Sequence, residues 1–270
     1  MFGFLKPNRK LRYKLNGYRP DPAGAYWAFD REKFSFIPDS RGDVDLRQWT
    51  SPRHDQRMTS TCVAQSLVKA LEIKRIMRFG KAKHVDLSVL DLYWGARDLM
   101  SPKMTNEDTG TYISLACDVL RRYGVCRESM HPFVERKLYV PPPVMATREA
   151  RLNRIHSHFK LYARGYDLVD DMILNLRAGN PVIFGTAVGD QWHGYNGKKT
   201  IVPEKKWNGR HAMCVVGWVD GKFVVENSWG RSWGDDGFAY VAPEVFTDKE
   251  TKDLWVIVDG SETWFEKRDK

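Results

Sequence analysis

The chain has 270 residues, of which 42% are hydrophobic and 13% aromatic, so it can bury a substantial core as one large domain or two small ones. Its net charge of +9 is most simply explained by a mildly basic solvated surface, and nucleic acid is not an expected partner. No apolar run approaches the ~18 residues that a membrane span requires, and the first residues lack the apolar core of a signal peptide. We therefore expect a cytoplasmic globular protein without a membrane span.

The first 42 residues differ in composition from the rest of the chain. Residues 1–20 carry six Lys or Arg side chains and no acidic one, interleaved with aromatic residues. This composition predicts a flexible or surface-wrapping tail, and its alternatives are an arm that docks on the body of the protein or a tether to an acidic partner such as nucleic acid or a membrane surface. Residues 21–42 are rich in Pro, Gly and aromatic residues, and they predict an ordered coil that packs on the rest of the chain.

Cys62 is the candidate nucleophile. A run of small hydroxyl residues precedes it, and apolar residues recur at helical spacing from there to about residue 79, so Cys62 opens an amphipathic helix and lies at its exposed end. A thiol at a helix N-terminus experiences the partial positive charge of unpaired N–H groups, which favours the thiolate. Thr59, Ser60 and Thr61 are candidate caps for those donors. A single free cysteine is more often a buried apolar residue, so this pattern needs support from elsewhere in the chain.

The remaining sequence changes from helical to strand periodicity near its middle. Helices are predicted at about 88–99, between Gly110 and Gly124, at 147–159 and at 168–178. Strands are predicted at 182–184, 211–219, 222–226, 238–241 and 254–258, with a hairpin at Asp220-Gly221. The first half is therefore expected to be helical, and the second half is expected to form a sheet or barrel.

The other cysteines do not indicate a disulfide framework, because Cys117, Cys126 and Cys214 form an odd set once Cys62 is set aside. Cys117 lies on the apolar face of a predicted helix and Cys214 lies within a predicted strand, so both are expected to be buried. Neither the cysteines nor the histidines show the spacing of metal ligands. We expect neither a metal nor a cofactor.

A thiol nucleophile needs a base, and the base needs an orienting partner. The second half of the chain offers both, as His211-Ala212 in a predicted strand and Asn227-Ser228-Trp229-Gly230 sixteen residues later. With Gln56 six residues before Cys62, this set resembles the papain family of cysteine peptidases, in particular its disulfide-poor prokaryotic or phage-type members. The resemblance covers about residues 43–241.

This resemblance implies an α+β fold of two lobes with a cleft between them. A helical lobe at 43–140 would carry the nucleophile helix, and an antiparallel, β-barrel-like lobe at 141–260 would carry the histidine and the asparagine. The basic and aromatic extension at 1–42 and a charged tail at 261–270 would flank them. A separate folded prodomain is not expected in 42 residues, and the first 20 would either cross near the cleft or reach for an acidic partner.

The resemblance also implies a cysteine endopeptidase that acts on a peptide or protein substrate. Cys62 would attack the peptide carbonyl as a thiolate and form a thioester acyl-enzyme, and His211 would protonate the leaving amine. Asn227 would orient the imidazole, and Gln56 would donate its side-chain amide to the oxyanion. His54 and His193 are weaker candidates for the base, because neither has the asparagine motif behind it.

Further residues are assigned to substrate binding by the same resemblance. Trp229 would cover the hydrogen bond between histidine and asparagine, and Trp233 would line the side of the leaving group. Gly110 would pair with the substrate backbone. Gly185 and Ala212 would form small walls of a roomy pocket for the side chain two residues before the scissile bond.

The sequence departs from the family pattern around the nucleophile. Thr59 removes one half of a disulfide, Ser60 replaces a glycine against which the substrate backbone passes, and Arg57 adds a charge beside the oxyanion residue. None of these changes removes a reacting group. Two other functions therefore stay open, which are a catalytically inactive binding module and an amidase or transamidase that uses the same triad.

The hairpin register limits what spacing alone can show. With a two-residue loop at Asp220-Gly221, Asn227 falls opposite Cys214, and His211 lies three residues further along its strand, roughly 10 Å away. Simple pairing therefore does not bring the two side chains together. A bend, a bulge or a wider loop is expected between them.

Overall fold

The computed structural model describes residues 13–24, 26–31 and 42–259. The helices are α1 (Cys62–Phe79), α2 (Val89–Met100), α3 (Ile113–Arg122), α4 (Val144–Ala150), α5 (Tyr166–Arg177), α6 (Asp190–His193) and α7 (Pro243–Thr247). The strands are β1 (Tyr18–Arg19), β2 (Val44–Asp45), β3 (Thr111–Tyr112), β4 (Ser157–Lys160), β5 (Val182–Val188), β6 (Gly209–Val219), β7 (Lys222–Glu226), β8 (Phe238–Val241) and β9 (Lys252–Val258). The predicted tail at 261–270 and residues 1–12 lie outside the described residues.

Helix α1 runs through the centre of the protein. It packs on α2 and α3 on one side and on β6 of the sheet on the other, so even Lys69 and Glu72 on its polar face are buried. Helix α2 begins where Ser88 accepts a hydrogen bond from the backbone N–H of Asp91, and Gly124 takes a positive φ of 80° just past the end of α3. The predicted helices of the first half agree with these bounds.

The second half forms an antiparallel sheet in the order β4-β9-β5-β6-β7-β8. Strand β2 pairs with the C-terminal end of the long strand β6, beyond the residues of β6 that pair with β5. Strands β5 and β9 are almost wholly buried, because α5 and α7 cover one side of the sheet and the helical half covers the other. Asp220 and Gly221 both take positive φ, as the predicted two-residue hairpin requires. This arrangement confirms the predicted α+β fold.

A β-bulge in β6 changes the register between the predicted hairpin partners. Val219 faces Lys222 as expected, but the pairing shifts between Val215 and Gly217, so that Glu226 and not Asn227 faces Cys214. The shift moves Asn227 one residue towards His211. The prediction that a bend or bulge must bring these two residues together is confirmed.

The helix predicted at 147–159 is wrong at its C-terminal end. Helix α4 stops at Ala150, and residues 157–160 form β4, which pairs with the edge of β9. Phe159 is buried on the sheet, where its ring stacks on that of Phe29. Pairing with an available strand edge outweighs the weak helical preference of this polar stretch.

The described part of residues 21–42 packs on the body of the protein, as predicted. Asp21 accepts hydrogen bonds from Ser114 and from the indole N–H of Trp255, and the Phe29 backbone bonds to that of Lys160. Residues 32–41 lie outside the described residues.

Among the described residues, every helix is too short or too polar to span a membrane.

All four cysteines are free and buried. The burial predicted for Cys117 and Cys214 is therefore confirmed. Cys62 is buried as well, with none of its surface exposed, so the expectation that it lies at an exposed helix end is wrong for this form of the protein. The N-terminal extension covers it, because Gly17 lies against the Cys62 sulfur.

Candidate active site

The structure brings the three predicted reacting groups together between the helical half and the sheet. Cys62 is the first residue of α1, and the backbone N–H of Ala212, the neighbour of His211 on β6, donates a hydrogen bond to its thiol. Asn227 follows the end of β7, and its Oδ1 lies 2.8 Å from Nε2 of His211. All three residues are buried.

The hydrogen bonds assign the proton on the imidazole. Asn227 Oδ1 also accepts the backbone N–H of Ser228, at 2.7 Å, which fixes the side-chain amide with its oxygen towards His211. An amide oxygen can only accept, so Nε2 of His211 carries the proton. Nδ1 of His211 is buried without a hydrogen-bond partner among the described residues, and it is therefore the nitrogen free to take a proton from a thiol.

Gln56 is held with its amide N–H groups towards the cleft. Its Oε1 accepts the hydroxyl of Ser228 at 2.7 Å, and its backbone N–H donates to the Ser228 carbonyl. Its Nε2 donates to two carbonyls, that of Thr59 at 2.9 Å and that of Lys14 at 3.0 Å. The second acceptor, the Lys14 carbonyl, belongs to the protein's own N-terminal extension. The side-chain amide of Gln56 therefore already binds a backbone carbonyl of that extension.

Two tryptophans close the site on the side of the sheet. Trp229 stacks on the His211 ring at 4.9 Å, and Trp233 meets Trp229 edge-on at 5.4 Å. Trp233 is itself buried, and its indole N–H donates to the carbonyl of Trp192. The imidazole is thus shielded from water by the Trp229 ring.

Neither of the two other candidate bases is bonded to Asn227. His193 stacks on Trp229 at 5.1 Å, beside the site. His54 lies 3.4 Å from the carboxylate of Glu72 in a buried network. Burial alone would raise the pKa of Glu72, but the hydrogen bond and charge of His54 and the charge of Lys69 lower it to about 2.

Residues 13–19, which we call the cleft segment, cross directly over the nucleophile. A Cβ atom built on Gly17 would lie 2.8 Å from the Cys62 sulfur and 2.5 Å from the carbonyl oxygen of Ser60. The Gly17 carbonyl accepts the backbone N–H of Thr111, and β1 pairs with β3 in parallel. Only a glycine fits between these atoms, so the segment lies in van der Waals contact with the reactive sulfur.

The cleft segment is anchored on both sides of the nucleophile. Tyr13 stacks on Trp229 at 4.7 Å and donates its hydroxyl to the Trp229 carbonyl. At the other end, the Tyr18 ring lies against Gly185, where an added Cβ would be 2.1 Å from the ring. Of the two alternatives predicted for the basic segment, residues 13–19 take the one in which the chain crosses the cleft.

Gly110, Gly185 and Ala212 all lie along the path of the cleft segment. Gly110 has a φ of 72°, and an added Cβ would lie 2.3 Å from the Gly17 carbonyl oxygen. Gly185 and Ala212 face each other on β5 and β6. The residues predicted to bind substrate therefore contact, or lie beside, the protein's own N-terminal extension.

Burial leaves the reacting pair uncharged in this closed form. It raises the pKa of the Cys62 thiol to about 12 and lowers the pKa of His211 to about 4. Backbone N–H groups at the start of α1 stabilise the thiolate, as predicted, but the loss of solvent has the larger effect. The expected thiolate is therefore absent at neutral pH while the segment is in place.

Asp108 supports the nucleophile loop, a role that was not predicted from the sequence. Its carboxylate accepts the backbone N–H of Ser60 at 3.0 and 3.1 Å and the hydroxyl of Tyr93 at 2.7 Å. Thr61 occupies the cap position of α1 but makes no side-chain cap bond, so the predicted hydroxyl caps are wrong. The only sequence feature that could have indicated this role is the position of Asp108, two residues before the predicted substrate-binding residue Gly110.

Glu72, His84 and Asp86 form one group among the described residues with ligand atoms close enough together for a metal ion. Glu72 already accepts hydrogen bonds from the Ser51 hydroxyl and the Leu87 backbone N–H. The group lies apart from the cleft, and we assign no metal to it.

The fold and this geometry define a two-lobed α+β protein that buries a cysteine at a helix N-terminus beside a strand carrying a histidine bonded to an asparagine. The chain belongs to the papain family, since the profile of the papain family cysteine proteases matches residues 40–253. The resemblance inferred from the sequence is thereby confirmed.

Relatives and solved structures agree with this assignment. The uncharacterized peptidase C1-like protein L477 of Acanthamoeba polyphaga mimivirus is 26% identical over 241 residues, which cover 85% of this chain and 73% of the viral protein. Peptidase 1 of Dermatophagoides pteronyssinus is 24% identical over 75% of this chain, which spans 61% of that protein. Xylellain, a cysteine protease from Xylella fastidiosa, is 26% identical with a TM-score of 0.78, over 92% of this chain and 98% of its own. Digestive procathepsin L2 of Tenebrio molitor shares the fold, with a TM-score of 0.73 at 18% identity, over 94% of this chain and 81% of its own.

Proposed function

We propose that this protein is a cysteine endopeptidase whose nucleophile is Cys62, with His211 as the base, Asn227 as its orienting partner and Gln56 as an oxyanion donor. One observation carries the proposal. The 2.8 Å hydrogen bond from Nε2 of His211 to Asn227 leaves the unprotonated Nδ1 of His211 without a partner among the described residues. The backbone N–H of the next residue on the strand, Ala212, bonds to the Cys62 thiol.

The reaction follows from these positions. Nδ1 of His211 takes the thiol proton, and the Cys62 sulfur attacks the peptide carbonyl carbon. The side-chain amide of Gln56 and the Cys62 backbone N–H stabilise the charge on the carbonyl oxygen, where the loss of one donor costs about 2.7–4 kcal/mol. The imidazolium then protonates the leaving amine, which leaves a thioester on Cys62. Water, deprotonated by His211, attacks the thioester and releases the acid product.

We further propose that the cleft segment keeps this enzyme inactive until it is displaced. The segment covers the Cys62 sulfur, and its Lys14 carbonyl occupies the amide of Gln56 that the oxyanion would need. It also excludes water, so the thiol and the imidazole stay neutral. Displacement restores solvent and allows the proton to move from Cys62 to His211.

An inactive binding module is the second candidate, and the complete burial of Cys62 and His211 favours it. The two functions differ once the cleft is open. A module would keep a thiol without enhanced reactivity, whereas a peptidase requires a thiolate paired with an imidazolium. An amidase or transamidase on the same triad differs only in its products.

The test is thiol labelling combined with peptide hydrolysis. A peptidyl epoxide should label Cys62 once the cleft segment is displaced, as identified by mass spectrometry of the labelled peptide, and a protein substrate should be cut. Cys62→Ala is the matched control and should show neither activity. Hydrolysis that persists in a folded Cys62→Ala protein would overturn the assignment, and an acyl transfer product without cleavage would favour the transamidase.

A further inference from the structure

A buried lysine in the middle of α1 contacts two other parts of the chain. Lys69 is 3% exposed, and its ammonium donates hydrogen bonds to the Ser51 hydroxyl and, at 2.7 Å, to the Pro52 carbonyl. It also lies 3.5 Å from Oε1 of Glu226, the last residue of β7. A lysine is almost never fully buried unless it is paired, so these oxygen atoms account for its position.

Each of the segments joined in this way also carries a residue of the proposed active site. The proline lies four residues before Gln56, and Glu226 comes directly before Asn227. Lys69 itself is seven residues after Cys62, and seven residues are close to two turns of a helix, so the two residues lie on the same face of α1. One ammonium therefore connects the segments that carry the nucleophile, the oxyanion donor and the partner of the imidazole.

The Glu226 carboxylate depends on nearby cations for its stability in the folded protein. Its side chain is 2% exposed, and neither oxygen has a hydrogen-bond partner among the described residues. The guanidinium of Arg53 lies 3.6 Å from Oε1, slightly further away than the ammonium of Lys69. Because a buried carboxylate without a cation is costly, Glu226 holds the sheet to Lys69 of the helix.

The distance between the two reacting groups depends on how the helix lies on the sheet. Cys62 belongs to α1 and His211 belongs to β6, and α1 packs on β6. Hydrophobic contacts are not directional, so they tolerate small shifts of a helix on a sheet. The ammonium of Lys69 differs, because its oxygen partners lie at defined positions in the loop and in the sheet.

We propose that Lys69 is a positioning residue, which sets the distance between the Cys62 thiol and the His211 imidazole by tying α1 to the end of β7. Lys69 acts through the helix, since seven residues place it roughly 10 Å from Cys62 along the helix axis. A displacement of about 1 Å can cost a reaction about 100-fold in rate, so loss of the tie should reduce kcat about 10- to 100-fold. This inference rests on the proposed function.

The test compares two buried lysines of the same helix. Lys69→Met and the control Lys74→Met are made in the full chain opened by Gly17→Val, because methionine is unbranched like lysine and favours a helix. Lys74 is also buried, but it donates to Asn180, between α5 and β5. Lys69→Met should lower kcat for a fluorogenic peptide about 10- to 100-fold with KM nearly unchanged, whereas Lys74→Met should keep the kcat of the parent.

A double variant separates positioning from stability. Lys69→Met removes one of the two cations beside Glu226, so it should also lower the melting temperature. Lys69→Met combined with Glu226→Gln removes both charges and should recover most of that loss, since replacing both members of a buried ion pair is often nearly neutral. Its kcat should stay low, because the tie is still missing. This double variant carries the test if Lys69→Met alone does not fold.

The rate of Cys62 alkylation by iodoacetamide at pH 7 gives a readout without turnover. It depends on proton transfer to His211, so it should fall in both variants that lack Lys69 and not in Lys74→Met. Equal kcat in Lys69→Met and Lys74→Met would overturn the inference. A double variant that recovers its rate together with its melting temperature would overturn it as well.

Failure of the proposed function gives a different result. An opened parent chain that is folded but cleaves no peptide would contradict the peptidase, and the alkylation rates would then decide the inference. Slower alkylation in Lys69→Met than in Lys74→Met would support the positioning role in that case, and equal rates would overturn it.

Discussion

The substitution Gly17→Val should open the cleft without removing any residue from the chain. A Cβ at residue 17 would meet the Ser60 carbonyl at 2.5 Å and the Cys62 sulfur at 2.8 Å, and the carbonyl belongs to the backbone and cannot rotate away. Overpacking of this kind typically costs about 1–3 kcal/mol. Because each 1.4 kcal/mol is a factor of ten, the open fraction should rise about 5- to 150-fold. Turnover of a peptide substrate should rise by the same factor while the open form is the minor one.

Gly24→Val is the matched control. A Cβ there would meet only the ring of Tyr26, at an ordinary 3.7 Å, so the cleft should stay closed. Both variants are compared with the wild type by hydrolysis of a fluorogenic peptide and by melting temperature. A Gly17→Val protein that is folded but no more active than Gly24→Val would refute the argument that the segment blocks the site.

The rate of Cys62 alkylation by iodoacetamide gives a second readout of the same opening. In the closed chain the pKa of Cys62 is raised to about 12 by burial, so its thiol is protonated below that pH and should react slowly up to strongly alkaline solution. In the Gly17→Val protein, water and His211 should stabilise the thiolate, and alkylation should become fast near neutral pH. Identical pH profiles for the two proteins would contradict this reasoning.

Other changes test the roles of single groups. In the opened chain, Cys62→Ala should abolish hydrolysis without unfolding, as turnover and circular dichroism would show, whereas Asn227→Ala should retain part of the rate because Trp229 still packs on the imidazole. Glu72→Gln should lower the stability at pH 7 by about 3–5 kcal/mol in urea unfolding. Since the folded state lowers the pKa of Glu72 from 4.5 to about 2, its contribution is complete above pH 4.5 and is lost as the pH falls towards 2, so the variant should be less sensitive to acid over that range. Deletion of residues 1–20 should leave a folded protein with equal or higher turnover, whereas deletion of 1–42 should lower the melting temperature; unchanged stability and rate after the longer deletion would show that the extension is inert.

The sequence by itself predicted the candidate reacting groups and most of the secondary structure. Cys62 at the start of a periodic helix is a local pattern, and the resemblance to the papain family singles out His211 and Asn227. The hairpin at Asp220-Gly221 is equally local, because both residues must take positive φ. Even the need for a bulge could be inferred, since simple pairing left His211 too far from Asn227.

Only the tertiary structure decided the state of the site. The position of the bulge, between Val215 and Gly217, appears only in the folded sheet. The backbone of the nucleophile loop is held by Asp108, which is 48 residues away from Ser60 in the sequence. Residues 157–160 form a strand because they pair with the edge of β9. A path across the cleft was one of several alternatives predicted for the basic N-terminal residues. No pattern within residues 13–19 indicates that they lie over Cys62. The cleft segment buries the Cys62 thiol, and this burial keeps the thiol protonated although the helix N-terminus alone would favour the thiolate. Desolvation depends on every atom that surrounds a group, so it follows from the packing of the whole chain and not from the residues beside it in the sequence.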